Sequence, residues 1–451
     1  MTVIVQPTTR VPAKTAFRNH LLAPTVANAL KLPFYRDHWD GIDTEAVTST
    51  DNLPRLPTID KQVVLASPHP CRHPDLTPHV VTHTTGTTGR PFIRARSAQE
   101  LAAFSEHMDA LREAVAARTN TPIRPVLAFS AIPATVHGAF AQTSLSQLRL
   151  SVDVFTDEGM DKTIDLLRRQ DLAPGDYDRH VLGSPGGLLL LTHALRERGI
   201  DPAELRIDRI VNLTDLLLPG QRALLARAWP GTTLINRLSM SEATCGATEC
   251  DECGCFHFDA TGLPEVLDLD TGRPVKTGAG ELVATELFPF AQLQPMIRYR
   301  TGDLVECVDS PCEPGEVSVR LIGRRDRTPL ARIDGRTEVV LAPVALSAAL
   351  EGVPEISRSP LGRPGTSAGA VYRGRPVAQA IARQDAGTTH LSLTVTAAFD
   401  PELFPARAAT LTEELTVLLQ RDLVSPRIPR DALEVTIVLR PAGRPGTQDR
   451  R

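Results

Sequence analysis

The sequence predicts an α/β protein with a large N-terminal domain of layered helices and strands, residues 1–323. A hinge joins it to a small α+β domain, residues 324–451. Two observations carry that prediction. Between residues 80 and 236, apolar runs of strand length alternate with segments of helical periodicity, which implies βαβ units around a sheet covered on both faces. Near residues 323–326 the pattern changes to short alternating strands accompanied by one helix. The length agrees, because 451 residues exceed the roughly 100–200 of one domain.

Taken in order, residues 1–75 are rich in proline and polar residues. With short helical patterns around 26–32, they read as an irregular N-terminal wrap. Ser97-Ala98-Gln99-Glu100 is a capping box. Leu101, Phe104, Met108, Leu111 and Val115 then recur at helical spacing, so an amphipathic helix is expected there. Strands are expected over 125–132, 150–155, 209–213 and 233–236, with helices over 162–170, 187–198 and 221–228 between them. A β-rich section follows, clearest at 281–285 and 317–321. The final part holds a helix over 406–419 and strands over 390–396 and 433–439. Segments 362–374 and 443–451 read as mobile.

Hydrophobic residues make up 42% and charged residues 23%, which is the balance of a soluble globular chain rather than a disordered or fibrous one. A net charge of −4 supplies no global basic field, so no nucleic-acid partner is expected. No apolar run approaches the roughly 18–20 residues that cross a bilayer, so no membrane association is expected. The first residues lack the charged, apolar and small-residue regions of a secretory leader. The expected location is the cytoplasm.

Of the 7 cysteines, all but Cys71 lie between Cys245 and Cys312. An odd total clustered in a long chain is not a disulfide framework and points to metal binding. The pattern Cys250-x2-Cys253-x-Cys255-x-His257, with Cys307 and Cys312 further on, can supply a closed tetrahedral zinc site. The set expected is Cys250, Cys253, His257 and Cys312, with Cys255 as a substitute. Four protein ligands make such a metal structural. Cys71 and Cys245 read as core. Lysine occurs only at positions 14, 31, 61, 162 and 276, so nearly all positive charge is arginine.

Four short strings carry the chemistry. The first is Thr82-His83-Thr84-Thr85-Gly86-Thr87-Thr88-Gly89-Arg90-Pro91, after the apolar pair Val80-Val81. Successive Gly and Thr offer amides and hydroxyls that can wrap phosphate oxygens without a Cβ clash. Gly-Lys-Ser/Thr is missing, so this is not a Walker loop. The second is Met240-Ser241-Glu242, the third Arg298-Tyr299-Arg300-Thr301-Gly302-Asp303, and the fourth Gly323-Arg324-Arg325-Asp326. Each is weak alone, but their order and spacing together are specific.

In these strings the chain resembles the adenylate-forming superfamily of acyl-CoA synthetases, luciferases and peptide-synthetase adenylation domains, in its phenylacetate-CoA ligase-like branch. The resemblance covers residues 80–350 well and the rest in outline. It implies an enzyme that joins a carboxylic acid to ATP, releases pyrophosphate, and passes the acyl group to coenzyme A or an amine after the small domain rotates. A carrier protein is a further possible acceptor, and a role in specialised metabolism is expected.

The resemblance also implies roles. Thr84, Thr85, Gly86, Thr87, Thr88 and Gly89 would hold the triphosphate, and Glu242 would ligate Mg²⁺. Asp303 would accept from the ribose hydroxyls, with Arg324 contacting the nucleotide as a fixed cation. Thr87, Glu242 and Arg324 are the catalytic candidates. Asp326 would be the hinge, and Gly335 would line the pantetheine channel. Asp215 stands at the turn that borders the adenine, while His137 and Gly138 border the acyl pocket. His137 reads equally as a hydrogen-bonded structural histidine. A zinc site in the region of the cysteines, and a homodimer, are also in keeping with the resemblance.

The departures are specific. Leu238 stands where family members carry the aromatic residue that packs against adenine. Arg90 replaces the usual phosphate-loop lysine, keeping charge with a different donor geometry. The lysine near the C-terminus that bridges carboxylate and α-phosphate has no counterpart, since none follows Lys276. Three readings stay open: an arginine supplies the charge, the lysine is dispensable, or the adenylation step is lost and the reaction altered. A non-catalytic binding homologue is the remaining alternative.

Overall fold

A computed structural model of the chain describes residues 11–83, 92–131, 147–172, 175–213, 215–360, 373–385 and 387–442. The Thr/Gly string from Thr84 to Gly89, together with His137, Gly138 and most of the segments read as mobile, lies outside these residues.

Eleven strands form one mixed sheet. Its parallel half runs Gln147–Ser151, Val126–Ala131, Asp178–Gly183, Arg209–Asn212 and Thr233–Leu238. The four inner strands bury residues on both faces, as a parallel sheet packed on two sides requires. The edge strand Gln147–Ser151 leaves Leu148 exposed. Leu127, Phe129, Val181 and Ile210 join the core beneath the helices Asp157–Leu167, Pro185–Glu197 and Pro219–Ala228. The alternate residues Val126, Ala128, Leu182, Val211 and Ile235 form the core of the opposite face. From Thr233–Leu238 the sheet continues antiparallel through Ala247–Glu249, Phe256–Phe258, Ser318–Arg324, Tyr299–Val308, Gly278–Glu286 and Gly262–Leu267.

Residues 11–66 correct the expectation of an irregular wrap. They contain the helices Val11–Ala29, Pro33–His38 and Lys61–Ala66. Pro24 lies inside the first helix, and an interior proline normally ends a helical pattern. Here Leu21, Leu22, Val26 and Ala29 are buried with Phe34, Tyr35 and Trp39 against the antiparallel half. That packing outweighs the lost backbone bond.

The capped helix is Ala98–Thr119. The Ser97 hydroxyl accepts the Glu100 amide at 3.3 Å. The Glu100 carboxylate does not complete the box on the Ser97 backbone, because it is buried and accepts the Gln292 and Leu293 amides at 3.0 and 2.9 Å. Of the expected apolar stripe only Met108 is fully buried, beside Ser105 and Arg112. The strand expected over 150–155 is Gln147–Ser151. Val152 and Val154 beyond it are core residues outside the strand.

Residues from Ala331 to Ile428 build a separate core. A three-stranded sheet, Ala378–Asp385, Thr388–Ala397 and Leu433–Pro441, buries Leu391, Leu393 and Val395 against Leu411 and Leu415 of the helix Pro405–Leu418. The helix Pro343–Leu350 and the hairpin Leu330–Ile333/Arg336–Val339 complete this lobe. Polar contacts join it to the large sheet. Glu351 accepts the Gly220 and Gln221 amides at 2.7 and 3.1 Å, at the N-terminus of Pro219–Ala228. Asp270 accepts the Thr337 amide and hydroxyl at 2.8 and 2.6 Å. No helix among the described residues is long and apolar enough to cross a membrane.

Candidate active site

Glu242 lies in the loop that follows Thr233–Leu238, and Asp215 lies just beyond Arg209–Asn212. Both are therefore at the carboxyl ends of parallel strands, where open α/β sheets bind ligands. Asp303 and Arg324 come from the adjoining antiparallel strands Tyr299–Val308 and Ser318–Arg324, in directly opposed positions. A register shift between Leu304 and Val305 sets that pairing.

Arg324 Nη1 donates to Asp303 Oδ1 at 3.0 Å and to the Thr301 carbonyl at 2.9 Å. Gly302 makes this possible. Its φ is +74°, and a Cβ there would lie 3.0 Å from Arg324 Nη2. The Asp303 amide donates to Thr301 Oγ1 at 3.0 Å, and that hydroxyl donates to the Leu282 carbonyl at 3.0 Å. Burial raises the Asp303 carboxyl above its ordinary value, and Arg324 opposes that rise. Burial works against charge on Arg324, yet Asp303, Asp326 and Glu242 together hold its pKa above the ordinary value. Four predicted residues, Glu242, Asp303, Arg324 and Asp326, thus share one electrostatic neighbourhood. Glu242 also acts on Tyr299, whose phenol is raised by burial first and by that carboxylate second.

Other candidates are placed differently. Asp215 pairs with Arg375 of the C-terminal lobe. Gly335 sits in the turn of the hairpin Leu330–Ile333/Arg336–Val339, with φ +79° and open space where a Cβ would project. The Thr/Gly string runs between Val80–His83 and Ile93–Arg96, antiparallel strands that end with His83 opposite Ile93. Sequence reasoning missed Glu281, a buried carboxylate that pairs with Arg300 and accepts from Arg325 Nη1 at 3.2 Å. Its only sequence signal is a charged residue inside an otherwise apolar strand.

Cys250, Cys253, His257 and Cys312 converge, with their ligand atoms within 4.8 Å of one another. Cys250 Sγ and Cys312 Sγ are 3.9 Å apart, which matches the ~3.8 Å expected of two sulfurs on a tetrahedral zinc with Zn–S near 2.3 Å. Cys253 Sγ lies 3.2 Å from His257 Nε2. The other ring nitrogen, Nδ1, is 2.9 Å from Ser318 Oγ and 3.6 Å from a Glu313 carboxylate oxygen. Such outer partners orient a metal-binding imidazole. Burial opposes ionising Cys253, but hydrogen bonds from Ser310, the Cys255 amide and His257 lower its thiol to about 6, and the thiolate is the form that binds metal. Gly254, at φ +66°, turns the 250–255 segment back. Cys255 is buried and outside the cluster. Cys71 and Cys245 are buried, as expected of core thiols.

Comparison with known proteins follows this geometry. The chain is 27% identical over 345 residues to phenylacetate-coenzyme A ligase of Thermus thermophilus, covering 72% of each chain. 2-Hydroxyisobutyryl-CoA ligase in its postadenylation state with R3-HIB-AMP superposes with a TM-score of 0.62 at 19% identity, over 96% of this chain and 87% of that one. An open conformation of that ligase, with 2-HIB-AMP and CoA, gives 0.62 at 19% identity over 98% and 89%. No family model matches. The resemblance carried by the four strings therefore holds: the chain is similar in sequence to phenylacetate-CoA ligase and has the adenylate-forming enzyme fold.

Proposed function

We propose that this chain, as a relative of phenylacetate-CoA ligase, activates a carboxylic acid with ATP and transfers the acyl group to coenzyme A. In the first step a carboxylate oxygen attacks the α-phosphorus, the bond to the β-phosphate oxygen breaks, and pyrophosphate leaves. In the second, the thiol sulfur attacks the acyl carbonyl, AMP leaves with the former carboxylate oxygen, and the thiol proton passes to solvent. The observation that carries this reading is the shared neighbourhood of Glu242, Asp303, Arg324 and Asp326 at the carboxyl end of the parallel sheet.

In this reading the residues Thr84 to Gly89 hold the triphosphate, and Thr87 is one of the catalytic residues. Asp303, an acceptor-only carboxylate when ionised, takes the ribose hydroxyls. Arg324 holds the growing negative charge by fixed electrostatics. Glu242 is partly exposed and makes no ion pair among the described residues, which suits a hard oxygen donor for Mg²⁺. Held by Glu242, a Mg²⁺ ion would neutralise charge on the departing pyrophosphate. The lobes divide after residue 323 and Asp326 serves as the hinge, so that rotation brings Gly335 to the coenzyme A channel. His137 and Gly138 border the acyl group. The Cys250, Cys253, His257 and Cys312 set holds a structural zinc that ties the loop after Glu242 to the segment after Asp303.

A second reading, acyl transfer or condensation without adenylation, draws support from Leu238 in the adenine-packing position and from the lysine-free stretch after Lys276. An amine or a carrier protein is its acceptor. Mass spectrometry of products from ATP, Mg²⁺, coenzyme A and an acid library separates the two. Acid-dependent AMP with a matching acyl-CoA supports the first reading. Absence of AMP over the whole library, with acyl transfer from a supplied acyl-CoA to an amine, overturns it in favour of the second.

A further inference from the structure

One buried carboxylate outside the proposed nucleotide contacts bonds to residues that flank three of the strings that carry them. Glu286 closes the strand Gly278–Glu286 and has no solvent exposure. Its Oε2 accepts from Arg94 Nη2 at 2.7 Å and from the Met296 amide at 2.9 Å. Its Oε1 accepts from Arg96 Nη2 at 3.1 Å, the Thr244 amide at 2.8 Å and Thr244 Oγ1 at 2.9 Å. A carboxylate in a protein core is costly unless paired and fully hydrogen-bonded. Two guanidiniums and three neutral donors satisfy this one.

The donors come from separate places in the sequence. Arg94 and Arg96 lie on Ile93–Arg96, which pairs with Val80–His83, and the Thr/Gly string falls between these two strands in the sequence. Thr244 lies two residues beyond Glu242. Met296 lies seven residues before Asp303, at the entry to the Arg-Tyr-Arg-Thr-Gly-Asp string. Apolar packing would also fill this volume, but it does not fix register. Five directional bonds to one carboxylate fix the spacing of three segments at once. Gln294 adds to the register, its Oε1 accepting the Ala95 amide at 2.9 Å.

We infer that Glu286 is a positioning residue for the nucleotide site, setting the distance between the strand Ile93–Arg96 and the Glu242 loop while touching no substrate. The inference rests on the ATP-dependent reading proposed above. It makes Mg·ATP binding sensitive to a side chain buried behind the site, because sub-ångström misplacement of binding groups is expensive.

The test uses the full-length chain carrying its metal and compares Glu286→Gln and Thr244→Val with the wild type by calorimetric titration of Mg·ATP and of coenzyme A. For Glu286→Gln, a folded protein by circular dichroism should bind Mg·ATP about tenfold more weakly, with coenzyme A affinity and the KM for the acid within about twofold. Thr244→Val removes one donor and keeps the fold-defining backbone bond, so about a threefold weakening is expected. It decides the matter if Glu286→Gln does not fold. Variants with a lowered melting temperature but wild-type Mg·ATP affinity would show a packing role and overturn the inference. A wild type that does not bind Mg·ATP removes the ATP-dependent reading, and this inference with it. A wild type that binds, beside variants that bind equally well, removes only this inference.

Discussion

The Asp303 carboxylate and the Arg324 guanidinium face each other at 3.0 Å across two antiparallel strands, with the glycine between Thr301 and Asp303 clearing the space for the contact. Each was expected to hold a different part of a nucleotide. In this conformation each occupies the other, so the nucleotide binding proposed above would exchange an internal ion pair for contacts to ribose and phosphate.

That pairing has a pH signature. Burial raises the Asp303 carboxyl above its ordinary 3.8, and Arg324 restrains the rise. The ionised form is the competent acceptor, so kcat/KM for ATP should increase with pH through the raised value. Arg324→Gln removes the restraint, and the acid limb of the profile should move to higher pH, beside an overall loss on the order of 10²-fold. A limb that stays in place or moves to lower pH contradicts this account.

The cysteine cluster predicts about one zinc per chain by elemental analysis. Cys312→Ser should lose most of that metal and lower the melting temperature on the order of 10 °C. Cys255→Ser should keep the metal. Equal metal in both variants would rule out the four-residue set.

Glu351 reaches from the C-terminal lobe to the first amides of Pro219–Ala228. Removing it as Glu351→Ala leaves those donors to solvent, at a cost of about 1 kcal/mol. Amide exchange of the peptide spanning 219–222 should quicken about fivefold, with overall melting nearly unchanged. The same peptide should respond to Gly220→Ala, since a Cβ there would lie 2.8 Å from the Glu351 carboxylate.

Asp178 supplies an acid-stability prediction away from the site. Burial works to raise its carboxyl, but His180 and Arg209 lower it from 3.8 to about 2. A depressed native value stabilises the fold above the unfolded value and loses that contribution as pH falls through the native one. Asp178→Asn should therefore cost about 2 kcal/mol between pH 5 and 7, with the gap to wild type closing toward pH 2. Urea titrations at several pH values read this directly.

How far the sequence could be read depended on the range of the interaction. The cysteine–histidine set was legible because soft ligands at short spacing have few other uses in a long chain. Parallel strands were legible where both faces are apolar, as at Val126–Ala131. The helix Val11–Ala29 was not, because Pro24 argues locally against it, while packing in a core shared with residues far along the chain, such as Phe258, favours it. Asp303 and Arg324 were legible as separate motif members, but a register shift at Leu304 and Val305 made them partners. Glu281 and Glu286 stayed hidden, since an isolated glutamate in a strand looks the same whether it faces solvent or five donors.

Lys14 offers a chemical reporter that follows from its place beside the thiol cluster. Its ammonium is sealed between Glu313 Oε1 at 2.5 Å and the Phe258 carbonyl at 3.0 Å, and Glu313 in turn leans on the His257 ring. An acylating label therefore meets this amine once local opening or thiol oxidation has dismantled that corner. The extent of labelling at one lysine becomes a running gauge of how intact this corner of the structure is.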